Sequence, residues 1–279
     1  MQHKIYHILL AFLLPVLGMA QQVPQYSQYI FNSLIINPAY AGTKETLNMN
    51  AISRHQWTGI DGAPTTQTFA IDGALNQKIG LGFHAIHDQT GILQNSLLSG
   101  SFSYKINTSE KSRLSFGLSG GAFFNGINGS MATTDVPDPL VSHGLESRVS
   151  PNASAGLFFH TESFYAGISA GELLSELNNR NATFQQSRHF FFTTGIIIPL
   201  NEAISLKTSI LAKDDFKSPM AMDLNSFLLI YERLWIGGSW RSSLPVFMAE
   251  DIDGRLRKGN ALAMMAEIYL TTALRVGYS

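Results

Sequence analysis

The chain has no cysteine in its 279 residues. That absence excludes disulfide staples, thiol catalysis, thiolate metal sites and a lipid-modified N-terminal cysteine. Charge is also sparse, at 14% of residues, where soluble domains carry roughly 25%. The formal net charge of −1 lacks the basic balance of a protein that grips nucleic acid, so no nucleic-acid partner is expected. Beyond the N-terminal leader no apolar run reaches the roughly 18 residues a membrane helix needs. Any passage through a membrane must therefore use strands. The serines include no G-x-S-x-G elbow, and abundant Ser and His alone do not assemble a catalytic set. No enzyme activity and no cofactor are expected.

What the chain does have is a two-residue rhythm. Leu98, Gly100, Phe102, Tyr104 and Ile106 alternate with Ser99, Ser101, Ser103 and Lys105. Leu114, Phe116, Leu118, Gly120 and Ala122 alternate with Ser115, Gly117, Ser119 and Gly121, and Ile204, Leu206, Thr208 and Ile210 with Ser205, Lys207 and Ser209. Successive side chains on a strand point to opposite faces, so each segment has one apolar and one polar side. Lipid outside and a polar interior require that pattern, and the expected fold is all-β: a transmembrane antiparallel β-barrel. A soluble up-and-down barrel is the alternative, with its oily face inward. The many strands argue against it, because so wide a lumen cannot be filled as an oily core.

Strand candidates fall at 46–57, 65–75, 78–87, 95–106, 112–125, 151–160, 163–171, 188–199, 203–213, 219–231, 233–242, 259–270 and 272–279. Short turns at Asn76-Gln77, Asn107 to Lys111, Thr161-Glu162, Leu200 to Glu202, Glu232 and Thr271 alternate with longer connections. The longer ones lie around Gly59 to Pro64, Asp88 to Gln94, Gly126 to Ser150, Glu172 to Ser187, Asp214 to Ser218 and Ser243 to Lys258. Short periplasmic turns and longer outside loops characterise outer-membrane barrels. About thirteen strands is an odd number where bacterial single-chain barrels are even, so a missing final strand is expected, through truncation of the reading frame or an incomplete sequence. Aromatic residues near segment ends (Trp57, Tyr104, Phe123, Phe124, Tyr165, Tyr231, Trp235, Trp240, Tyr269, Tyr278) read as interfacial girdles.

Residues 1–20 read as a secretory signal: Lys4 supplies charge, Ile8 to Leu17 the apolar region, and Gly18-Met19-Ala20 a small-residue cleavage point. A buried N-terminal helix is the alternative. Residues 21–45 form a periplasmic N-terminal segment, and 46–279 the barrel. The aromatic stretch Tyr26 to Tyr40 is either a plug tucked into the periplasmic mouth or a loosely packed extension. Asn50, Arg54, Asp72, His84, Lys105, Lys207, Asp223, Asn225, Arg241, Glu267 and Arg275 should line the lumen or its rims. A lining of both signs can cross-link and close a bore, whereas a single sign would select ions. His84, His87 and Asp88 hint at a metal site, but alternation puts His87 on the opposite face from the other two, and no metal is expected. His84 is expected to make a lumen hydrogen bond. Asp135 to Asp138 has the oxygen ligands of a calcium loop without a matching spacing, and reads as a solvated turn.

Several motifs resemble the PorP/SprF family of outer-membrane proteins of the Bacteroidota type IX secretion and gliding-motility machinery. They are Gln25-Tyr26-Ser27-Gln28-Tyr29, Phe31-Asn32, Ile36-Asn37-Pro38-Ala39-Tyr40-Ala41-Gly42, Arg54-His55-Gln56-Trp57 and Gly62-Ala63-Pro64-Thr65-Thr66-Gln67-Thr68. Gly80-Leu81-Gly82 with Asp88 and Gly91, Asp135 with Asp138-Pro139, and Leu234-Trp235-Ile236-Gly237 also fit. The resemblance implies a barrel of about 14 strands, one more than is present here. It also implies three partners: outer-membrane lipid, periplasmic scaffold proteins of the secretion system, and the C-terminal sorting domain of a secreted adhesin. The implied role is to help secrete or anchor that adhesin; a passive or substrate-specific channel is the rival. Asn37, Pro38, Tyr40, Gly42, Arg54, Gln56, Trp57, Gly62, Pro64 and Gln67 are the motif residues proposed for structure or partner contact. Physically, Pro38 biases Asn37 toward extended geometry, and Gly62 to Pro64 suit a tight outer turn.

Overall fold

The computed structural model describes residues 32–129, 145–175, 187–216, 218–244 and 260–279. The leader, the motif at Gln25 to Phe31, the acidic stretch Asp135 to Asp138 and most of the loops around 126–150, 172–187 and 243–258 lie outside the described residues.

Thirteen strands form one antiparallel sheet in simple chain order. They are β1 (Asn48–His55), β2 (Thr65–Ala74), β3 (Ile79–Thr90), β4 (Leu93–Asn107), β5 (Arg113–Asn128), β6 (Leu145–His160), β7 (Phe164–Gly171), β8 (His189–Pro199), β9 (Ile204–Asp214), β10 (Met220–Ile230), β11 (Leu234–Leu244), β12 (Ala261–Tyr269) and β13 (Arg275–Tyr278). Every strand pairs with its sequence neighbour. Between β1 and the last two strands lies a seam cavity of about 220 Å³, lined by Asn48, Asn50, Ile52, Glu267 and Arg275 among others.

The apolar face is outside. Leu98, Phe102, Tyr104, Ile106, Phe116 and Leu118 are all exposed, whereas Ser99, Ser101, Ser103, Lys105 and Ser115 are buried. This inversion is what lipid around the wall demands, and it excludes the soluble barrel.

Short turns are closed by side chains whose geometry the sequence encodes. Asn76 accepts the amides of Lys78 and Ile79 at 2.8 Å, and Asn201 those of Ala203 and Ile204 at 2.8 Å. Asn mimics a backbone turn in this way. Two expectations fail. The connection around Asp88 to Gln94 is not long: β3 and β4 run on and are closed by Gly91-Ile92 alone, with Gly91 at φ 56°. Strand pairing continues through Asp88↔Asn95 and Thr90↔Leu93, and Thr66 on β2 donates to the Asp88 carboxylate and holds it in the ladder. In addition, Phe123, Tyr165, Trp235 and Tyr269 are not girdle residues; their register puts them on the lumen face. Tyr165 stacks on Phe158 at 5.8 Å, and Trp235 belongs to a buried cluster with Ile36, Leu211, Phe227 and Met265.

Candidate functional site

The interior is occupied on its short-turn side by the chain's own segment from Asn32 to Gly42. Two 3-10 turns, Ser33–Ile35 and Pro38–Tyr40, carry it across the lumen. Asn37 starts the second: its Oδ1 accepts the Ala39 amide at 2.9 Å, and Pro38 sits at the first position, where no amide hydrogen is needed. The same Asn37 side chain donates Nδ2 to the carbonyls of Leu157 at 2.9 Å and Ile168 at 3.3 Å, bridging β6 and β7. Its residue is 1% exposed.

Further bonds bind the segment's backbone to the wall. Ser169 Oγ donates to the Ile36 carbonyl, Ser103 Oγ to Ala41 O at 2.7 Å, and Lys105 Nζ to Gly42 O at 2.9 Å. The Gly42 amide donates to Asp72 Oδ2 at 2.9 Å. Burying backbone polar groups without partners would be costly, and here wall side chains supply them. Apolar contacts complete the floor: Leu34 packs with Ala41 and Ala70, and Tyr40 meets Phe158 edge-on at 5.4 Å.

Glycine in the wall makes the close approach possible. A Cβ on Gly117 would lie 2.0 Å from the Ala39 nitrogen. Gly42 itself has φ 66° and would meet Gly73 and Gly80 backbone at 2.8 Å, so both its conformation and its space exclude a side chain.

Beyond the floor, toward the long loops, is a chamber of about 200 Å³. Leu34, Ile36 and Pro38 form its base. Its walls carry one ion pair and one histidine–carboxylate contact. Arg241 donates Nε and Nη2 to Asp223 at 2.6 Å each, and His189 Nδ1 lies 3.2 Å from Glu172 Oε2. Lys213 and Asp215 add one charge of each sign. His84 Nδ1 and Asn152 Oδ1 line the chamber without a hydrogen-bond partner among the described residues. At Nδ1, therefore, the lumen hydrogen bond expected of His84 is not made among the described residues.

The sequence-selected residues separate into two groups. Asn37, Pro38, Tyr40 and Gly42 meet in the floor. Gln56, Trp57, Gly62 and Pro64 lie at the opposite end, in the first outer loop, where the Gln56 amide donates to Pro64 O at 3.0 Å. Gly62, at φ 74°, accepts the Gly91 amide at 2.8 Å, tying this loop to the β3–β4 turn. Trp57 is exposed; Arg54 faces inward on β1 opposite Thr66, and Gln67 faces outward on β2 opposite His87. His87 bonds Ser96 on the outer face at 2.8 Å while Asp88 accepts from Thr66 on the inner one at 2.5 Å, so these two do not converge with His84. Among the described residues no group of three or more His, Asp or Glu could hold a metal.

Ser103, Ser169, Gly117 and Gly156 were not singled out by motif. The usable signal was a run of Gly and Ser on lumen positions, where a wall free of neighbours would carry longer side chains.

An inside-out antiparallel sheet with its own N-terminal segment in the bore narrows the possibilities, and comparison with known families decides among them. The family model described as type IX secretion system membrane protein PorP/SprF matches residues 18–279. The chain belongs to the PorP/SprF family. It is thus a membrane protein of type IX secretion systems, and as a strand-spanning barrel it resides in the outer membrane. No curated protein sequence matches it. Among solved structures it is similar to a Pseudomonas aeruginosa FadL homologue, with 10% identity over 83% of this chain and 77% of that one and a TM-score of 0.44. That likeness is too distant to bear on function.

Proposed function

We propose that this PorP/SprF barrel is an export and attachment station for one partner surface adhesin, and that it is not a diffusion pore. The observation that supports this reading most strongly is the floor: a segment whose carbonyls are held by Ser103, Lys105 and Ser169 crosses the lumen from within. With the short-turn end facing the periplasm, the N-terminal segment is the contact for periplasmic scaffold proteins of the secretion system, through Glu45 to Leu47, which are exposed where it leaves the floor. The long-loop end, where the Gln56–Pro64 loop lies, is the side assigned to the adhesin's C-terminal sorting domain, with the connections around 126–150 and 243–258 as its contacts.

A clean deletion of the gene should leave the partner adhesin off the cell surface, with normal display defeating the proposal. Planar-bilayer recording of the purified barrel separates it from the channel alternative: steady open steps would favour the channel. N-terminal sequencing of the mature protein should begin near Gln21, and an intact Met1 would remove the signal-peptide assignment.

A further inference from the structure

The chamber above the floor has polar groups whose bonding is unfinished. His84 and Asn152 line it and are each 5% exposed. Neither side chain makes a hydrogen bond among the described residues. The imidazole Nδ1 and the amide Oδ1 are sealed off, whereas Nε2 and Nδ2 keep accessible surface. The charged side of the chamber is uneven as well. Asp223 receives Arg241, Glu172 meets His189, and Asp215 accepts the amide and hydroxyl of Ser218. Each of these acids already holds a donor. Lys213 also lines the space. It lies within electrostatic range of all three acids but makes no hydrogen bond or ion pair among the described residues. Beneath are Leu34 and Ile36 of the floor, and Phe191 and Leu211 pack beside Ile36.

Volume restricts the guest. A cavity of roughly 150 Å³ holds a benzene-sized molecule. The chamber's volume of about 200 Å³ therefore takes one apolar side chain and the backbone atoms that carry it. An acyl chain is too long for it, and a sugar would set hydroxyls against the apolar base. A polypeptide has no room to enter and turn back, so the guest is a chain end. The lining charge without a bonded partner is a cation, which selects the carboxyl end over the amino end. We propose that the chamber receives the C-terminal residue of a partner protein. Its apolar side chain rests on Leu34 and Ile36, and its carboxylate pairs with Lys213 Nζ. Its backbone N–H and carbonyl meet His84 Nε2 and Asn152 Nδ2, an acceptor and a donor in the neutral side chains. The proposal rests on the adhesin reading above and names the part of the sorting domain that enters the lumen.

Two synthetic peptides test it on the full chain in detergent, by fluorescence polarisation. Both read Ser-Gly-Ser-Gly-Leu with a dye at the N-terminus; one ends in the free acid, the other in the amide. The wild type should bind the acid about tenfold more tightly, the worth of one charge-assisted hydrogen bond. Lys213→Met should bring the acid down to the level of the amide and leave the amide unchanged. Ala221→Phe, which puts a ring into the chamber, should weaken both. Equal binding of acid and amide by the wild type would overturn the proposal without reference to any variant. So would an acid preference that survives Lys213→Met, or binding that ignores Ala221→Phe. Binding of glucose with neither peptide held would give the chamber to a saccharide instead. None of these measurements needs the adhesin. Normal adhesin display in the deletion strain, with the acid preference intact, removes the export reading and leaves the pocket. Lost display with no acid preference removes the pocket alone.

Discussion

The floor and the chamber share one lumen but are held together differently. In the floor, polar contacts run from a side chain to backbone: Asn37 to Leu157 O and Ile168 O, Lys105 to Gly42 O, Ser103 to Ala41 O. In the chamber they run between side chains, Arg241 to Asp223 and His189 to Glu172, and among the described residues two buried polar atoms are left over. Backbone acceptors cannot rotate away or change protonation. They fix a segment in place, whereas side-chain pairs facing a cavity can exchange partners with water or a ligand. The floor therefore behaves as part of the fold and the chamber as an adjustable space above it.

The sharpest way to break that comparison is to refill the space that glycine leaves. Gly117→Leu puts a Cβ 2.0 Å from the Ala39 backbone, which cannot swing aside as a side chain would. The floor segment should be expelled at a cost of about 3 kcal/mol or more, and silent bilayers should become conducting. A variant that stays silent with an unchanged urea midpoint would mean the floor is not seated as described. Asn37→Ala comes next. It removes one acceptor and two donor contacts at a buried position, and should cost about 2 kcal/mol, read as a lower urea midpoint. Lys105→Met keeps the stem but strands the Gly42 carbonyl. With a single bond lost, about 1.5 kcal/mol is expected, again with a rise in open events.

Much of this architecture was legible in the chain. The alternation at 98–106 and 114–122 assigned inner and outer faces correctly, and thirteen strands were counted and found. Asn76 and Asn201 announced their turns. What could not be read was the distance between residues far apart in sequence. Nothing local says that Gly117 faces Ala39, or that Asn37 spans β6 and β7. The aromatic residues misled for the same reason. Tyr165 and Trp235 sit near strand ends as girdle residues do, but one step of register decides between lipid and lumen. The short β3–β4 turn was missed because polar residues at Asp88 and Asn95 look like loop, yet they pair across the hairpin.

The chamber supplies the smaller effects. Replacing both partners of its best pair, Asp223→Asn with Arg241→Gln, keeps hydrogen-bonding shape without leaving a lone charge. That double change should cost under about 1 kcal/mol, well below Asn37→Ala. A loss as large as the floor's would erase the distinction between the two halves.

The smallest expected effect lies at the short-turn rim, where the floor segment leaves the lumen. Glu45 accepts a hydrogen bond from Arg113, and that bond, with the guanidinium charge, holds its carboxyl below the usual carboxylate range. Both side chains are substantially solvent-exposed, so screening leaves the pair worth under about 0.5 kcal/mol. The sign is fixed by the lowered value: the contribution is full above the ordinary carboxylate pKa of 4.5 and fades as acidification protonates Glu45. Urea midpoints of wild type and Glu45→Gln should therefore differ slightly at neutral pH and low salt, and converge in acid or high salt. A gap that widens in acid would show that this strap is not electrostatic, and that the floor is anchored at its exit by packing instead.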